Sequence, residues 1–466
     1  MSAVLAMLLG LLAAPDEASG QTEPVPQFKS AVKFDASVTY PYGMAVADIV
    51  DADGNPGQDG YPELAVVGAG WDLLACGGDV SGGLIRVFRN TGTWQTDPDN
   101  AMVPHWATNI PGAFATEVAF ADVTGVNGPD LVVLTFYAGG GVLYVFANQG
   151  DGTFSYDPMG WHVPGSPLRG LAVADVDNDG DLDVIAAVND CPAGGQRNKI
   201  VVFENTSDPQ IGLIAFVPQT ITLDIAGDVA PGDVAVGDFF ALAAGQPLID
   251  FVTPNPYADS VTAVRNLGSL QFDPVTIDAP QACGSQTWLY ETIVSGRFGV
   301  DAHWDFAAVE TGQLYVGVFL GNGLGAFQSF CDNPALRYQL YSGTANVKAH
   351  GIAAGHFNGG TKLDLVVALD NVDGPTGGEP WSGAVAVLLG RSDGTFQTPS
   401  ANEAYIYTSS GIDRPTMVVT ADFNNDGFDD IATSSFYTDT FSVMINKMVI
   451  SIPLPEDEWS LPGGES

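Results

Sequence analysis

The chain contains the segment Leu171-Ala-Val-Ala-Asp175-Val-Asp177-Asn-Asp179-Gly180-Asp181-Leu-Asp183-Val-Ile-Ala-Ala187, in which a nine-residue acidic loop separates two apolar strands. Carboxylates occupy loop positions 1, 3, 5 and 9, and a glycine that permits a sharp turn occupies position 6. Ca²⁺ takes about six to eight oxygen ligands, and alternate residues of a tight loop can direct oxygens at one centre. Carboxylates this close repel one another unless a cation lies between them. The segment therefore predicts a calcium site.

The same frame of strand, loop and strand recurs seven times along the chain. The loops open at Asp48, Asp122, Asp175, Asp238, Arg297, His356 and Asp422. A third apolar strand follows in each repeat, and an aromatic residue then opens a fourth: Trp94, Phe154, Phe216, Phe272, Phe327 and Phe396. These are six aromatic residues for seven loops, and the seventh is found upstream of the first loop, at Phe28.

The position of the seventh aromatic residue, upstream of the first loop, predicts how the fold closes. Self-similarity at a period of roughly 40 to 60 residues is typical of repeat architectures. Four strands per repeat without a helical pattern favour β-propeller blades. We therefore predict an all-β, seven-bladed propeller of four-stranded antiparallel blades, closed by the N-terminal strand joining the last blade. Closure removes sheet edges that would otherwise template aggregation. The alternatives are a β-sandwich or an open β-solenoid with acidic turns.

Two loops and two corners also carry a family resemblance. The loops Ala174-Asp-Val-Asp-Asn-Asp-Gly-Asp-Leu-Asp183 and Ala421-Asp-Phe-Asn-Asn-Asp-Gly-Phe-Asp-Asp430 resemble FG-GAP or VCBS repeats. So do the corners Asn148-Gln-Gly-Asp-Gly-Thr-Phe154 and Arg391-Ser-Asp-Gly-Thr-Phe396. The resemblance spans roughly residues 28 to 448 and implies a propeller similar to the integrin α-subunit head, with Ca²⁺ in loops between first and second strands. It implies no single function, since such repeats occur in adhesins, lectin-like modules and some polysaccharide-active enzymes.

Three loops have enough oxygen atoms to hold a cation, so we expect two to three Ca²⁺ ions. The predicted ligands of the third loop are Asp175, Asp177, Asp179, Asp181 through its carbonyl, and Asp183. Those of the seventh are Asp422, Asn424, Asp426, the carbonyl of Phe428, and Asp430. The expanded first loop offers Asp48, Asp51, Asp53, Asp59 and Glu63.

The other four loops have lost this ligand set. In the fifth, we hypothesise that the guanidinium of Arg297 stands where calcium would and pairs with Asp301 and Asp305. No recognised catalytic motif places a base or nucleophile at these loops, so the calcium is expected to be structural. A cation that binds only the folded loop stabilises it by mass action.

The charge of the chain narrows the classes of partner. Lys and Arg total 15 against 55 acids, which gives a net charge of −40. Such a surface repels nucleic acids and anionic membranes. We expect no nucleic-acid partner and no direct membrane insertion, and a protein that is monomeric.

The ends of the chain and its cysteines suggest an extracellular location. Residues 1–20 resemble a signal peptide, although no Lys or Arg precedes their apolar run, so a disordered or mis-started N-terminus is the alternative. We assign residues 21–448 to one propeller and residues 449–466 to an acidic, disordered tail or linker. The four cysteines predict disulfides, Cys283–Cys331 first and Cys76–Cys191 less firmly, the alternative being free buried thiols. We therefore expect a secreted or cell-surface protein.

The sequence favours binding over catalysis. Its one Gly-x-Ser-x-Gly segment, Gly390-Arg-Ser-Asp-Gly394, belongs to the corner before Phe396 and opens no helical pattern, as a nucleophile elbow would, and the chain contains no His-Glu-x-x-His segment. Turns after the second strands carry aromatic residues suited to stacking on sugars or anchoring a protein partner: Trp71, Tyr137, Tyr257, Trp381 and Tyr437. Each ring alone could instead pack on a neighbouring loop. We predict a calcium-binding module for adhesion to an extracellular protein or glycan, and alternatively the propeller of a polysaccharide-active enzyme such as a lyase.

Overall fold

The structure is a computed structural model, and its strands form seven separate sheets. It describes residues 24–51, 54–55, 57–68, 82–137, 140–155, 160–165, 167–188, 198–223, 231–240, 247–256, 260–277, 290–311, 314–329, 332–342, 347–370, 382–398 and 404–447. Short 3₁₀ turns lie at Pro98–Asn100 and Pro334–Leu336. No helix among the described residues is long and apolar enough to cross a membrane.

Each sheet is one blade, numbered here in chain order. Blade 1 contains β2 (Pro41–Ala47), β3 (Glu63–Gly68), β4 (Gly83–Asn90) and β5 (Met102–Ile110). Blade 2 contains β6 (Phe114–Ala121), β7 (Asp130–Tyr137), β8 (Gly140–Phe146) and β9 (Trp161–Pro164). Blade 3 contains β10 (Leu168–Ala174), β11 (Asp183–Val188), β12 (Lys199–Asn205) and β13 (Phe216–Thr222). Blade 4 contains β14 (Ala235–Gly237), β15 (Asp250–Asn255), β16 (Ser260–Asn266) and β17 (Phe272–Ile277).

The last three blades follow the same order with a divided outer strand in two of them. Blade 5 contains β18 (Tyr290–Gly296), β19 (Asp305–Glu310), β20 (Tyr315–Gly321), β21 (Phe327–Gln328) and β22 (Arg337–Gln339). Blade 6 contains β23 (Lys348–Gly355), β24 (Asp364–Asp370), β25 (Ser382–Gly390), β26 (Phe396–Gln397) and β27 (Tyr405–Asp413). Blade 7 contains β28 (Pro415–Ala421), β29 (Asp430–Ser435), β30 (Thr440–Met444) and β1 (Val32–Asp35).

The blades stand in a ring around an axis. The first strand of each blade is innermost and contacts the first strand of the next, and β28 of blade 7 contacts β2 of blade 1. The all-β prediction of seven four-stranded antiparallel blades is confirmed. The outer strand of blade 7 is β1, which pairs antiparallel with β30 in a register that sets Phe34 opposite Phe441.

The core lies between the blades. All six residues of β11 are buried, because both faces of the sheet are covered by neighbouring blades. This is why the second strands read as continuous apolar runs and not as alternating ones.

Several of the aromatic residues that open the outer strands pack against the loop of the preceding blade. The ring centroid of Trp94 lies 6.2 Å from that of Phe423, and Phe396 lies 5.8 Å from Phe298. Phe28 takes the same place for blade 7, since its ring lies 5.9 Å from that of Phe357 in blade 6. The aromatic residue displaced to the N-terminus thus packs as Trp94 and Phe396 do.

Several sequence predictions fall outside the described residues. These are the signal peptide (1–20), the tail (449–466), Asp53, the rings of Trp71, Tyr257 and Trp381, and all four cysteines, Cys76, Cys191, Cys283 and Cys331.

Candidate metal centre

The acidic loop of blade 3 is folded by its own carboxylates. The Gly180 N–H donates to Asp175 Oδ2 at 3.0 Å, and the Asp181 N–H donates to Asp179 Oδ1 at 2.9 Å. Two left-handed residues make the turn possible: Asn178 has φ 61° and Gly180 has φ 102°. Glycine and asparagine are the residues that tolerate this conformation. Hence the loop shape depends on the two non-acidic positions as much as on the acids.

Three carboxylates of this loop converge. Asp175, Asp177 and Asp183 each place one oxygen within 4.8 Å of the others, and this is the one such group among the described residues. Asp175 Oδ1 is buried without a hydrogen-bond partner. Burial raises the pKa of the Asp183 carboxyl to about 7 and also raises the pKa of Asp177. An orphaned oxygen among crowded carboxylates fits a hard divalent cation such as Ca²⁺, which would satisfy that oxygen and keep the acids ionised.

Position 9 of the loop also has a role that the spacing did not predict. Asp183 Oδ2 accepts from the Val176 N–H at 2.9 Å, and Asp183 Oδ1 accepts from the Asn205 N–H at 2.7 Å. One carboxylate thereby ties the start of the loop to the end of the third strand. Equivalent pairs of backbone bonds are made in every other blade, by Glu63, Asp130, Asp250, Asp305, Asp364 and Asp430.

The loop of blade 7 repeats this geometry with an amide at position 3. Asp422 Oδ2 accepts from the Gly427 N–H at 2.7 Å, and Asp426 Oδ1 accepts from the Phe428 N–H at 3.1 Å. The side-chain oxygen of Asn424 is buried and lacks a hydrogen-bond partner. The three acids do not approach as closely as those of blade 3, but the orphaned amide oxygen is a suitable fourth donor.

The expanded loop of blade 1 closes in the same way around its last residues. Asp48 accepts from the Asp59 N–H at 3.2 Å and from the Gly60 N–H at 2.8 Å. Asp59 and Gly60 thus occupy positions 5 and 6. Asp51 accepts instead from the backbone and side chain of Asn55, within the inserted residues, at 2.8 to 3.2 Å. The structure therefore gives Asp51 a role in folding the insertion, apart from Asp48 and Asp59.

The hypothesis for blade 5 is not supported. The Arg297 guanidinium lies 5.5 Å from the centroid of the Trp304 ring, and it forms no ion pair with Asp301 or Asp305 within the part of the chain that is described. The nearby cation is the Lys362 amine of blade 6, which donates to the carbonyl of Gly299. The cation–π contact with the Trp304 ring stabilises the Arg297 guanidinium without an ion pair.

Asparagines at the ends of third strands connect neighbouring blades, and sequence reasoning missed them. Asn205 Nδ2 of blade 3 donates to the Val123 carbonyl of blade 2 at 2.8 Å. Asn90 of blade 1 donates to the Phe423 carbonyl of blade 7 at 2.8 Å, across the junction of the two chain ends. The signal was present in the sequence as an asparagine just after an apolar strand in five repeats: Asn90, Asn148, Asn205, Asn266 and Asn446. Four of them donate to a neighbouring blade, whereas Asn148 donates to the Pro129 carbonyl of its own blade.

Two of the predicted ligand-binding rings are described, and they lie apart. The Tyr137 ring is 5.2 Å from the His162 ring at the edge of blade 2. Tyr437 is 53% exposed in blade 7, with the Arg414 guanidinium 3.8 Å from its ring centroid. The structure does not bring these two rings together in one cleft.

Comparison with known proteins supports the repeat assignment. A family model described as FG-GAP-like repeat matches residues 127–186 and 357–433, which include the loops of blades 3 and 7. No curated protein matches the chain.

Solved structures similar to this chain include a streptogramin B lyase, with 10% identity, coverage of 90% of this chain and 98% of that one, and a TM-score of 0.48. A periplasmic gluconolactonase from Pseudomonas aeruginosa shows 12% identity, coverage of 80% and 100%, and a TM-score of 0.43. An Agrocybe aegerita lectin that recognises non-reducing terminal N-acetylglucosamine shows 17% identity, coverage of 90% and 94%, and a TM-score of 0.43. At these identities, no function is taken from them. On its loops, its seven blades and the matching family model, the chain is a seven-bladed β-propeller with FG-GAP-like repeats.

Proposed function

We propose that the protein is a secreted calcium-binding propeller that serves as a binding or adhesion module for an extracellular protein or glycan. The observation that carries the proposal is the group of Asp175, Asp177 and Asp183 oxygens within 4.8 Å, with the buried Asp175 Oδ1 left unpartnered. Extracellular calcium is abundant enough to fill loops with dissociation constants of about 10⁻⁴ to 10⁻³ M.

The position of this loop favours a structural role for the cation. The Asp183 carboxylate is bonded to two backbone N–H groups that hold blade 3 together, so a cation on its oxygens would fix the same elements. A ligand at a hundredfold excess over its dissociation constant stabilises the folded state by about 2.7 kcal/mol. Two or three occupied loops would thus match a large part of the stability of an ordinary domain.

The face opposite the acidic loops is the proposed binding face. The turns after the second strands lie there, because strand direction alternates within each blade. Tyr437 is exposed on this face, and an exposed ring backed by Arg414 can stack on a sugar or on a partner's side chain.

The cation is tested by removing one ligand. Asp177→Ala should lower the number of tightly bound Ca²⁺ ions by one and reduce the calcium-dependent rise of the melting temperature. Asp122→Ala is the matched control, since Asp122 opens the blade 2 loop without a convergent group of acids. Isothermal titration and ion analysis measure the stoichiometry. A chelator that leaves the wild-type melting curve unmoved would sink the proposal.

The binding role is tested separately with the calcium-loaded full chain on glycan and extracellular-protein arrays. Calcium-dependent retention without product formation supports a binding module. Release of unsaturated oligosaccharides from an acidic polysaccharide would show a lyase instead.

A further inference from the structure

The inner strands carry polar side chains where they begin, on the face opposite the acidic loops. These residues lie five or six positions before the first loop residue of each blade: Tyr42, Glu117, Arg169, Asp233, Glu291, His350 and Thr416. Pairing is irregular at this level in six of the seven blades. Bulges re-aim side chains, and they are enriched next to functional sites. We call this ring of seven residues the axial mouth.

The inner strands are in close contact at this level. A Cβ on Gly43 would lie 3.0 Å from the Glu117 Cα, and a Cβ on Gly170 would lie 2.4 Å from the Asp233 Cα. Only glycine allows blades 1 and 2, and blades 3 and 4, to approach so closely. The narrow ring therefore brings side chains of different blades together.

One contact crosses between blades that are not neighbours. The Arg169 guanidinium of blade 3 lies 5.8 Å from the centroid of the Tyr42 ring of blade 1. Burial raises the pKa of Glu117 well above its usual range, the Asp233 charge adds to this, and Arg169 opposes it. Burial also raises the pKa of Asp233 to about 6. Tyr42, Glu117, Arg169 and Asp233 are each half-buried, so these groups share one partly hydrated space.

The hydrogen-bonding capacity of this space is only partly used. Asp233 is satisfied, since it accepts from the Val234 N–H at 2.8 Å and the Ile293 N–H at 3.1 Å. In the described part of the chain, no donor reaches the Glu117 carboxyl and no acceptor reaches the Arg169 guanidinium. An unpaired acceptor and an unpaired donor therefore line the same opening.

Aromatic rings extend from Tyr42 towards the rim. The Phe436 ring lies 6.5 Å from that of Tyr42 and 4.9 Å from that of Tyr437. On the blade 6 side, Asp370 lies 3.4 Å from His350 Nε2 and 3.4 Å from the Arg414 guanidinium. The rim thus offers ring faces on one side and a fixed imidazole on the other.

We propose that the axial mouth binds a neutral saccharide. A hydroxyl group both donates and accepts, so neighbouring sugar hydroxyls can serve Glu117 and Arg169 at once. The C–H face of a sugar suits the rings of the rim. A polyanionic glycan would meet three carboxylates on a chain of net charge −40. This inference rests on the proposed binding function and names the ligand class and its site.

The test uses the calcium-loaded full chain and a panel of neutral mono- and oligosaccharides, with oligogalacturonate and glucosamine as charged comparators. Affinities are measured by ligand-observed NMR and isothermal titration. Glu117→Ala and Arg169→Ala should each weaken binding at least tenfold. Glu204→Ala and Arg265→Ala are matched controls on third strands away from the axis and should bind like the wild type. If an alanine variant does not fold, Glu117→Leu and Arg169→Met replace it, because they keep the side-chain size but remove the hydrogen-bonding atoms.

Three outcomes would overturn the axial site. These are no neutral saccharide bound by the wild type at millimolar concentration, tighter binding of a charged comparator, or axial variants that bind like the wild type. If the axial variants bind an array ligand as tightly as the wild type does, the axial site is wrong but the proposed binding function is not. If the wild type binds no array ligand, the axial site and the proposed binding function are both wrong.

Discussion

The acid at position 9 is the residue on which each blade depends. Its two oxygens accept backbone N–H groups from the loop and from the end of the third strand, as Asp250 does with Phe240 at 2.9 Å and Asn266 at 2.7 Å. Asp250 is fully enclosed, and burial raises the pKa of its carboxyl to about 7. Retaining so costly a group is understandable, because the two N–H donors would otherwise be buried without partners.

Replacing this acid in a blade without a convergent metal group isolates its structural role. Asp250→Ala leaves two buried N–H groups unsatisfied at about 1–3 kcal/mol each, so the free energy of unfolding should fall by about 2–6 kcal/mol. Asp250→Asn keeps one acceptor oxygen, so its loss of unfolding free energy should be smaller than that of Asp250→Ala but still measurable. Asp238→Ala, at position 1 of the same loop, should change stability by less than about 0.5 kcal/mol. Urea unfolding at constant calcium measures all three, and equal losses for Asp238 and Asp250 would contradict the assignment.

At the scale of the element, blades are connected by asparagine side chains. Buried Asn205 donates to the Val123 carbonyl of blade 2 and, at 3.0 Å, to the Leu182 carbonyl of its own blade. Blades 5 and 6 have glycine at this point. At Gly321 a Cβ would lie 2.2 Å from the Trp304 carbonyl oxygen, so no side chain fits there.

Asn205→Ala should therefore loosen two blades together. Two buried carbonyls and one N–H lose their partner, which should cost about 2–4 kcal/mol. Hydrogen exchange should accelerate at the Val123 and Thr124 amides of blade 2 as well as in blade 3. Asn198→Ala, which removes a bond to Leu223 within blade 3, should affect that blade alone. Unchanged protection in the blade 2 loop would show that the asparagine does not couple the blades.

The sequence predicted the strands and loops more accurately than it predicted the contacts between side chains. Seven acidic loops between apolar runs predicted the blades, because burial on both faces leaves an unmistakable apolar second strand in each repeat. The spacing of Asp175, Asp177 and Asp183 predicted a group that does converge. It could not separate metal ligands from hydrogen-bond acceptors, since a carboxylate at position 9 serves either use. The axial residues have no common chemistry, so no motif marks them.

At the scale of the whole molecule, the two chain ends meet in blade 7. Phe34 of β1 stacks on Phe441 of β30 at 5.1 Å, and its ring meets Trp94 of blade 1 edge-on at 6.0 Å. Together with the Asn90 bond to Phe423, these contacts join the first and last blades. Closure of the ring therefore depends on β1, which lies at the opposite end of the chain from the other three strands of its sheet.

Phe34→Ala should weaken this junction more than its size suggests. Removing a buried phenylalanine costs about 3–5 kcal/mol, and here the loss falls where the two ends separate. Hydrogen exchange in β30 and proteolysis near β1 should rise before the other blades respond. Lys33→Ala is the control, because its exposed ion pair with Asp413 contributes about 0–1 kcal/mol. A uniform rise of exchange across all seven blades would contradict a weak point at the junction.

The burial of acids away from the convergent metal group gives the whole molecule a pH dependence. Asp130, Asp233 and Asp250 have pKa values raised by burial to about 6, 6 and 7. Their unfolded values are about 4, so between pH 4 and 7 the folded state binds more protons than the unfolded state. Stability must then fall as pH rises through this window. Self-repulsion of a chain with net charge −40 acts in the same direction.

In the presence of a chelator, the melting temperature should therefore be lower at pH 8 than at pH 5.5. Calcium should reverse part of this loss, because the loop acids bind a cation only when ionised. The rise of melting temperature caused by calcium should thus be larger at pH 8 than at pH 5.5, and magnesium at equal ionic strength serves as the control for screening. Scanning calorimetry at the two pH values, with and without calcium, gives the four numbers required. A calcium-free protein that gains stability from pH 5.5 to pH 8 would contradict this prediction, because its folded state would then bind fewer protons than its unfolded state.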